Sequence, residues 1–156
     1  MISLSFDYNK INLAMDRITK AAENAVRPAA QAGAQVFYEE VKENVREGQQ
    51  AEHYFYGTAS KAAPKGSKKA FAYRFTKGNL KRSIYQYYNK RLSTPAKAVY
   101  SISWNHKEAP YGYMVEYGTS NAPARPFLRP AYDAARAKAL KAVQERMAVE
   151  LKKATQ

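Results

Sequence analysis

The chain has 156 residues, 26 Lys and Arg against 13 Asp and Glu, a formal net charge of +13, and no cysteine. That length suits one domain able to bury about 70% of its unfolded surface on folding, and the missing thiols exclude disulfides, thiolate metal sites and a cysteine nucleophile. The opening residues lack a basic start followed by an apolar block, and no apolar run reaches the roughly 18 residues of a spanning helix, so neither a secretory leader nor a membrane span is expected.

Ile2, Leu4, Phe6 and Tyr8 alternate with Ser3, Ser5 and Asp7, which predicts a half-buried first strand. Beyond Asn9, apolar side chains fall at Ile11, Met15, Ile18, Ala22, Ala25, Ala29, Gly33, Phe37, Val41 and Val45, the three-to-four spacing of a long helix or two stacked pieces. Pro28 removes a backbone donor and clashes with the preceding turn, so a kink or break is expected close to Arg27. The small residues Ala29, Ala30, Ala32, Gly33 and Ala34 suit the close approach of another backbone, either the chain's own sheet or a neighbouring subunit.

Charge is unevenly distributed. Residues 1–52 carry a net −2, residues 53–107 hold twelve basic and no acidic residues, and residues 108–156 carry a net +3. Within the basic third, residues 48–78 lose periodicity and read as a flexible basic arm between the N-terminal helix and the sheet. Its lysine-rich centre, residues 61–69, buries too little apolar area to offset its ordering entropy. The flanking aromatic clusters, Tyr54-Phe55-Tyr56 and Phe71 to Phe75, are able to dock or form a hairpin.

After the arm, residues 84–88 and 98–104 read as strands joined through a turn at Ser93-Thr94-Pro95, with Ala98, Tyr100, Ile102 and Trp104 on one face. Residues 113–117 read as a further strand, giving with the first an antiparallel sheet of about four strands. From about Phe127, the stripe Ala131, Ala135, Ala139, Val143, Met147 and Leu151 predicts a C-terminal helix. The fold expected is α+β, a single domain over residues 1–156, with the sheet packed by the long N-terminal helix and the C-terminal helix.

Between the last strand and that helix, Gly118 is placed to tolerate positive φ, and Pro126 and Pro130 need no helical donor if they lie near the first turn. Phe127 and Leu128 are then free to plug the core, while Arg125 and Arg129 flank them. Glu116 and Thr119 are polar in an aromatic neighbourhood, suited either to a capping hydrogen bond or to a bond across subunits.

Two segments carry a resemblance. Glu116-Tyr117-Gly118-Thr119, a short loop, Pro126-Phe127-Leu128-Arg129-Pro130 and a terminal helix, together with Gly78, Leu80, Ser83 and Ile84 upstream, resemble the tail-completion or head–tail joining proteins of long-tailed bacteriophages. Lys77, inserted between Thr76 and Gly78, departs from that pattern, and residues 48–75 show none of it. The resemblance implies a structural protein of the virion tail and neck, made in the host bacterial cytoplasm and assembled as a six-fold ring. Its implied partners are the neck's stopper or connector on one side and the tail terminator or tube protein on the other.

A nonspecific nucleic-acid-binding module is the alternative. Lys61, Lys65, Lys68, Lys69, Arg74 and Lys77, with Lys81 and Arg82, interleave with Phe71, Tyr73 and Phe75, so cations to neutralise phosphates sit beside rings to stack bases. No recognition-module signature accompanies them. Catalysis is not expected: His53 and His106 lie apart without metal-ligand spacing, no nucleophile elbow or phosphate-binding glycine loop occurs, and Glu39, Glu40, Glu43 and Glu47 sit at the spacing of a solvated helix face. No cofactor or metal is implied.

Overall fold

A computed structural model describes residues 8–46, 52–57 and 71–155, with the backbone alone for 52–57, 71–75 and 154–155. The elements in chain order are α1 (Tyr8–Asn44), β1 (Glu52–Gly57), β2 (Phe71–Thr76), α2 (Asn79–Ser83), β3 (Ile84–Tyr88), β4 (Tyr100–Trp104), α3 (Gly112–Tyr117) and α4 (Leu128–Thr155). This is a mixed helix-and-sheet fold with a long helix near each end.

The sheet differs from expectation. Among the described residues the strands form two separate two-stranded antiparallel sheets, β1–β2 and β3–β4, in place of one sheet of about four. Tyr8, the end of the expected first strand, opens α1, and the rest of that segment lies outside the described residues. Residues 113–117 are not a strand but most of α3. The reason lies in where their neighbours pack: Gly112 and Glu116, four apart, are both buried, while Tyr113 and Tyr117, also four apart, sit outside with ring centroids 4.5 Å from each other. Spacing of four selects a helix over a strand's spacing of two. The aromatic borders of the basic segment do form a hairpin, pairing Glu52 with Thr76 through Gly57 with Phe71; the lysine-rich centre lies outside the described residues.

α1 is a single 37-residue helix that continues through Pro28. A mid-helix proline costs roughly 3 kcal/mol; what holds the helix together is the seam it makes with α4. Ala21, Ala25, Ala29, Gly33 and Ala34 of α1 are buried, as are Ala131, Ala135 and Ala139 of α4. A Cβ built on Gly33 would stand 2.5 Å from Val143 Cγ2 and 3.3 Å from the Ala139 carbonyl oxygen, so the two backbones approach as closely as a glycine allows. The small residues therefore serve a helix–helix contact within the chain, not the sheet that was the expected partner.

Gly33 lies beside Ala139 and Val143 while Phe37 stacks on Tyr132 at 5.5 Å, so α1 and α4 run antiparallel. The β3–β4 hairpin packs on α1 with its inner face, burying Ile84 and Trp104. Those two join Val41, Val45, Leu80, Ala109, Phe127 and Ala131 in the main core.

Candidate functional site

An α-helix begins with backbone N–H groups that have no partner inside the helix. At the start of α4, Glu116 takes them: its Oε2 accepts from the N–H of Phe127 at 2.7 Å and Leu128 at 3.0 Å, and its Oε1 accepts from the N–H of Arg129 at 3.4 Å. Pro130, next in line, has no N–H to satisfy. The Arg129 guanidinium closes the arrangement, its Nε donating to Oε1 at 3.3 Å while its plane lies over the Tyr117 ring at 5.0 Å. The carboxylate is 1% exposed. Burial pushes the Glu116 carboxyl up, but the three backbone N–H groups and Arg129 outweigh it, and the group is held below the ordinary carboxylate range.

The loop from α3 to α4 is built to deliver that carboxylate. Gly118 has φ +78°, and a Cβ there would meet the Ala124 nitrogen at 2.7 Å. The Thr119 hydroxyl accepts from the N–H of Ala122 at 3.1 Å and of Asn121 at 3.3 Å, closing its own turn, and the Arg125 N–H donates to the Val115 carbonyl at 2.8 Å. Phe127, 1% exposed, meets Trp104 edge-on at 5.8 Å. A Cβ on Gly112 would fall on the Trp104 indole.

The second group of motif residues is also internal. Gly78 adopts the left-handed region (φ 72°, ψ 11°) just before α2, and Leu80 and Ile84 enter the core. The buried Ser83 hydroxyl donates to the Leu80 carbonyl at 2.8 Å, and the Asn105 N–H donates to the Ser83 carbonyl at 2.8 Å, fastening α2 to the end of β4. Within the chain Glu116 caps the start of α4, and the Thr119 hydroxyl closes its own turn. Of the motif residues, Tyr117, Thr119, Pro126, Arg129 and Pro130 are exposed.

Among the other candidates, Lys61, Lys65, Lys68 and Lys69 lie outside the described residues, Arg74 and His53 are described by backbone alone, and Lys77 is exposed in the turn after β2. His106 is exposed and packs on Trp104 at 4.7 Å. Among the described residues no group of three or more His, Asp or Glu is placed to hold a metal ion, and no helix is long and apolar enough to cross a membrane.

Uncovered apolar surface lies elsewhere, and the periodicity of the sequence concealed it. Gly33 lies beside Ala139 and Val143, so in the antiparallel pair Thr155, the last residue of α4, comes level with the stretch of α1 near Ile18, and the first ten or so residues of α1, about 15 Å at 1.5 Å per residue, run beyond it. Every residue from 8 to 20 is exposed, including Ile11, Met15 and Ile18 on one face, at 49%, 60% and 55%. They continue the spacing of the buried stripe without a break, since a covered and an uncovered apolar face have the same spacing. At the other end, beside the start of α4, Tyr113, Met114, Tyr117 and Tyr132 form an exposed aromatic surface.

Compared with protein-family models, with curated proteins and with solved structures, the chain matches none.

Proposed function

We propose that this chain is a structural protein of the neck of a long-tailed bacteriophage, completing the tail and joining it to the head as one subunit of a ring. Two supports stand behind the reading. The first is the resemblance carried by residues 78–84 and 116–130. The second, which carries most weight, is physical: the antiparallel α1–α4 pair is a stiff strut with unlike apolar surfaces at its two ends, Ile11, Met15 and Ile18 at one and Tyr113, Met114 and Tyr117 at the other. Exposed apolar patches of this kind mark contacts with other proteins, and unlike surfaces on one subunit give the head-to-tail contacts from which closed rings are made.

On this reading the internal motif has a mechanical purpose. Glu116 locks the start of α4 to α3, so a load applied to the aromatic end passes into the helix pair without unwinding its first turn. The partners are further copies of the chain, a stopper or connector towards the head and a terminator or tube protein towards the tail. No reacting group is required.

The test is reconstitution. Heads and tails from a phage lacking this chain should stay apart, and purified wild-type protein should restore joined particles in electron micrographs. The triple variant Ile11→Asp, Met15→Asp, Ile18→Asp should fold, as judged by an unchanged thermal midpoint, and fail to join them. Joining by the triple variant as efficient as by wild type would refute the reading.

A further inference from the structure

The β3–β4 hairpin has two unlike faces. Ile84 and Trp104 face the core, while Tyr85 and Tyr87 point the other way, 42% and 43% exposed, with ring centroids 5.8 Å apart. Directly across from them on β4 stand Ser103 and Ser101, too small to cover an aromatic ring. The result is a pair of open tyrosine faces on a rigid strand.

The hairpin itself carries charge of one sign, and the acidic side chain that lines the cavity beside its turn, Glu23 of α1, sits there with Tyr88 of the opposite, inner face and with Arg27. Residues 77–107 contain no Asp or Glu. At the turn end of the hairpin Lys90, Arg91 and Lys97 are all exposed. At the open end stand Lys81 and the exposed Lys107, with Arg82 folded back so that its guanidinium donates to the Lys77 carbonyl at 2.9 Å and to the Thr76 hydroxyl. The nearest acidic side chain in sequence, Glu108, is engaged at Oε1 by the Asn105 amide at 3.0 Å. Strands of five residues separate the two cation groups by roughly 17 Å, with the two rings between.

We propose that this face binds single-stranded nucleic acid, the tyrosines stacking bases and the two cation groups holding phosphates on either side. Charge complementarity selects a polyanion. The rings select among polyanions: tyrosine faces stack on bases that are unpaired, and stacking of this kind tolerates any sequence. At 5.8 Å the rings leave no room for a base between them, so each takes a base on its free side. None of its residues belongs to either apolar end of the helix pair, and the proposal stands or falls independently of the neck assignment.

Fluorescence anisotropy of the full-length protein with labelled oligo-dT, and with a duplex of equal length, tests this directly. Tyr85→Ala with Tyr87→Ala should weaken oligo-dT binding about tenfold or more at fixed salt, leave its salt slope in place, and leave duplex binding unmoved. Tyr85→Phe with Tyr87→Phe should bind like wild type, since the ring and not the hydroxyl acts. Lys90→Glu with Arg91→Glu should lower the salt slope. Absent oligo-dT binding by the wild type, an unaltered affinity in the double alanine variant, or an equal loss on duplex would each overturn the proposal; far-UV circular dichroism of each variant checks that the exposed substitutions leave the fold intact.

Discussion

The Glu116 carboxylate lies 2.7 Å from the Phe127 N–H, across eleven residues of sequence, with both residues 1% exposed. One side chain thereby anchors a 28-residue helix by its first turn, a task given elsewhere to a residue adjacent to the helix. Because the N–H dipoles at a helix start favour negative charge, the anionic form is the one this site holds.

Glu116→Ala removes an acceptor from three buried or half-buried N–H groups at once. Unfolding in urea should show a loss of about 2–4 kcal/mol, combining the loss of a cap with unsatisfied donors. Glu116→Gln keeps one acceptor oxygen in place and should cost less. Equal stability of wild type and Glu116→Ala would mean that the carboxylate does not cap α4.

The same group makes stability depend on pH. Its folded pKa is depressed: burial raises it, but the hydrogen bonds from Leu128, Phe127 and Arg129 together lower it further. A depressed carboxylate contributes stability that is fully present above its unfolded pKa, about 4.3 for Glu, and is lost as pH falls through the folded value. Unfolding free energies measured across that acid range should decline more steeply in wild type than in Glu116→Gln, and parallel curves would assign the acid sensitivity to other groups.

Gly33 and Val143 should be coupled. A Cβ at position 33 comes 2.5 Å from Val143 Cγ2, so Gly33→Ala gains helix propensity of about 1 kcal/mol but forces the seam apart, at a typical cost of about 1–3 kcal/mol for overpacking. In a Val143→Ala background the clash is relieved and Gly33→Ala becomes stabilising or neutral. A double-mutant cycle read by thermal denaturation checks this; simple additivity would place Gly33 outside the seam.

Much of the architecture was legible in the residues. The spacing of Ala25, Ala29 and Gly33, and of Ala131, Ala135 and Ala139, marked both long helices and their buried faces, and the alternation ending at Trp104 marked β4 and its inner side. The glycine at position 118, set just past a run of aromatics, marks the positive φ found there. Three features were not legible, each for a physical reason. Residues 113–117 carry a pattern compatible with spacing two or four, and only the burial of Gly112 against Trp104 decides between them. Pro28 argues locally against a continuous helix, but an alanine seam longer than the local defect overrides it. The exposure of Ile11, Met15 and Ile18 is hidden because local pattern carries no information about the extent of the partner helix, and α4 ends level with about Ile18. The clamp at Glu116 was half visible: a polar residue among aromatics was singled out, while its partners, backbone groups without any side-chain signature, were not.

The most direct measurement of the central claim is a cryo-EM reconstruction of the joined neck containing this chain. A closed ring of copies is expected between head and tail, with the helix segment bearing Ile11, Met15 and Ile18 buried against a neighbouring subunit. A neck in which this chain is absent, or present with that segment facing solvent, would contradict it.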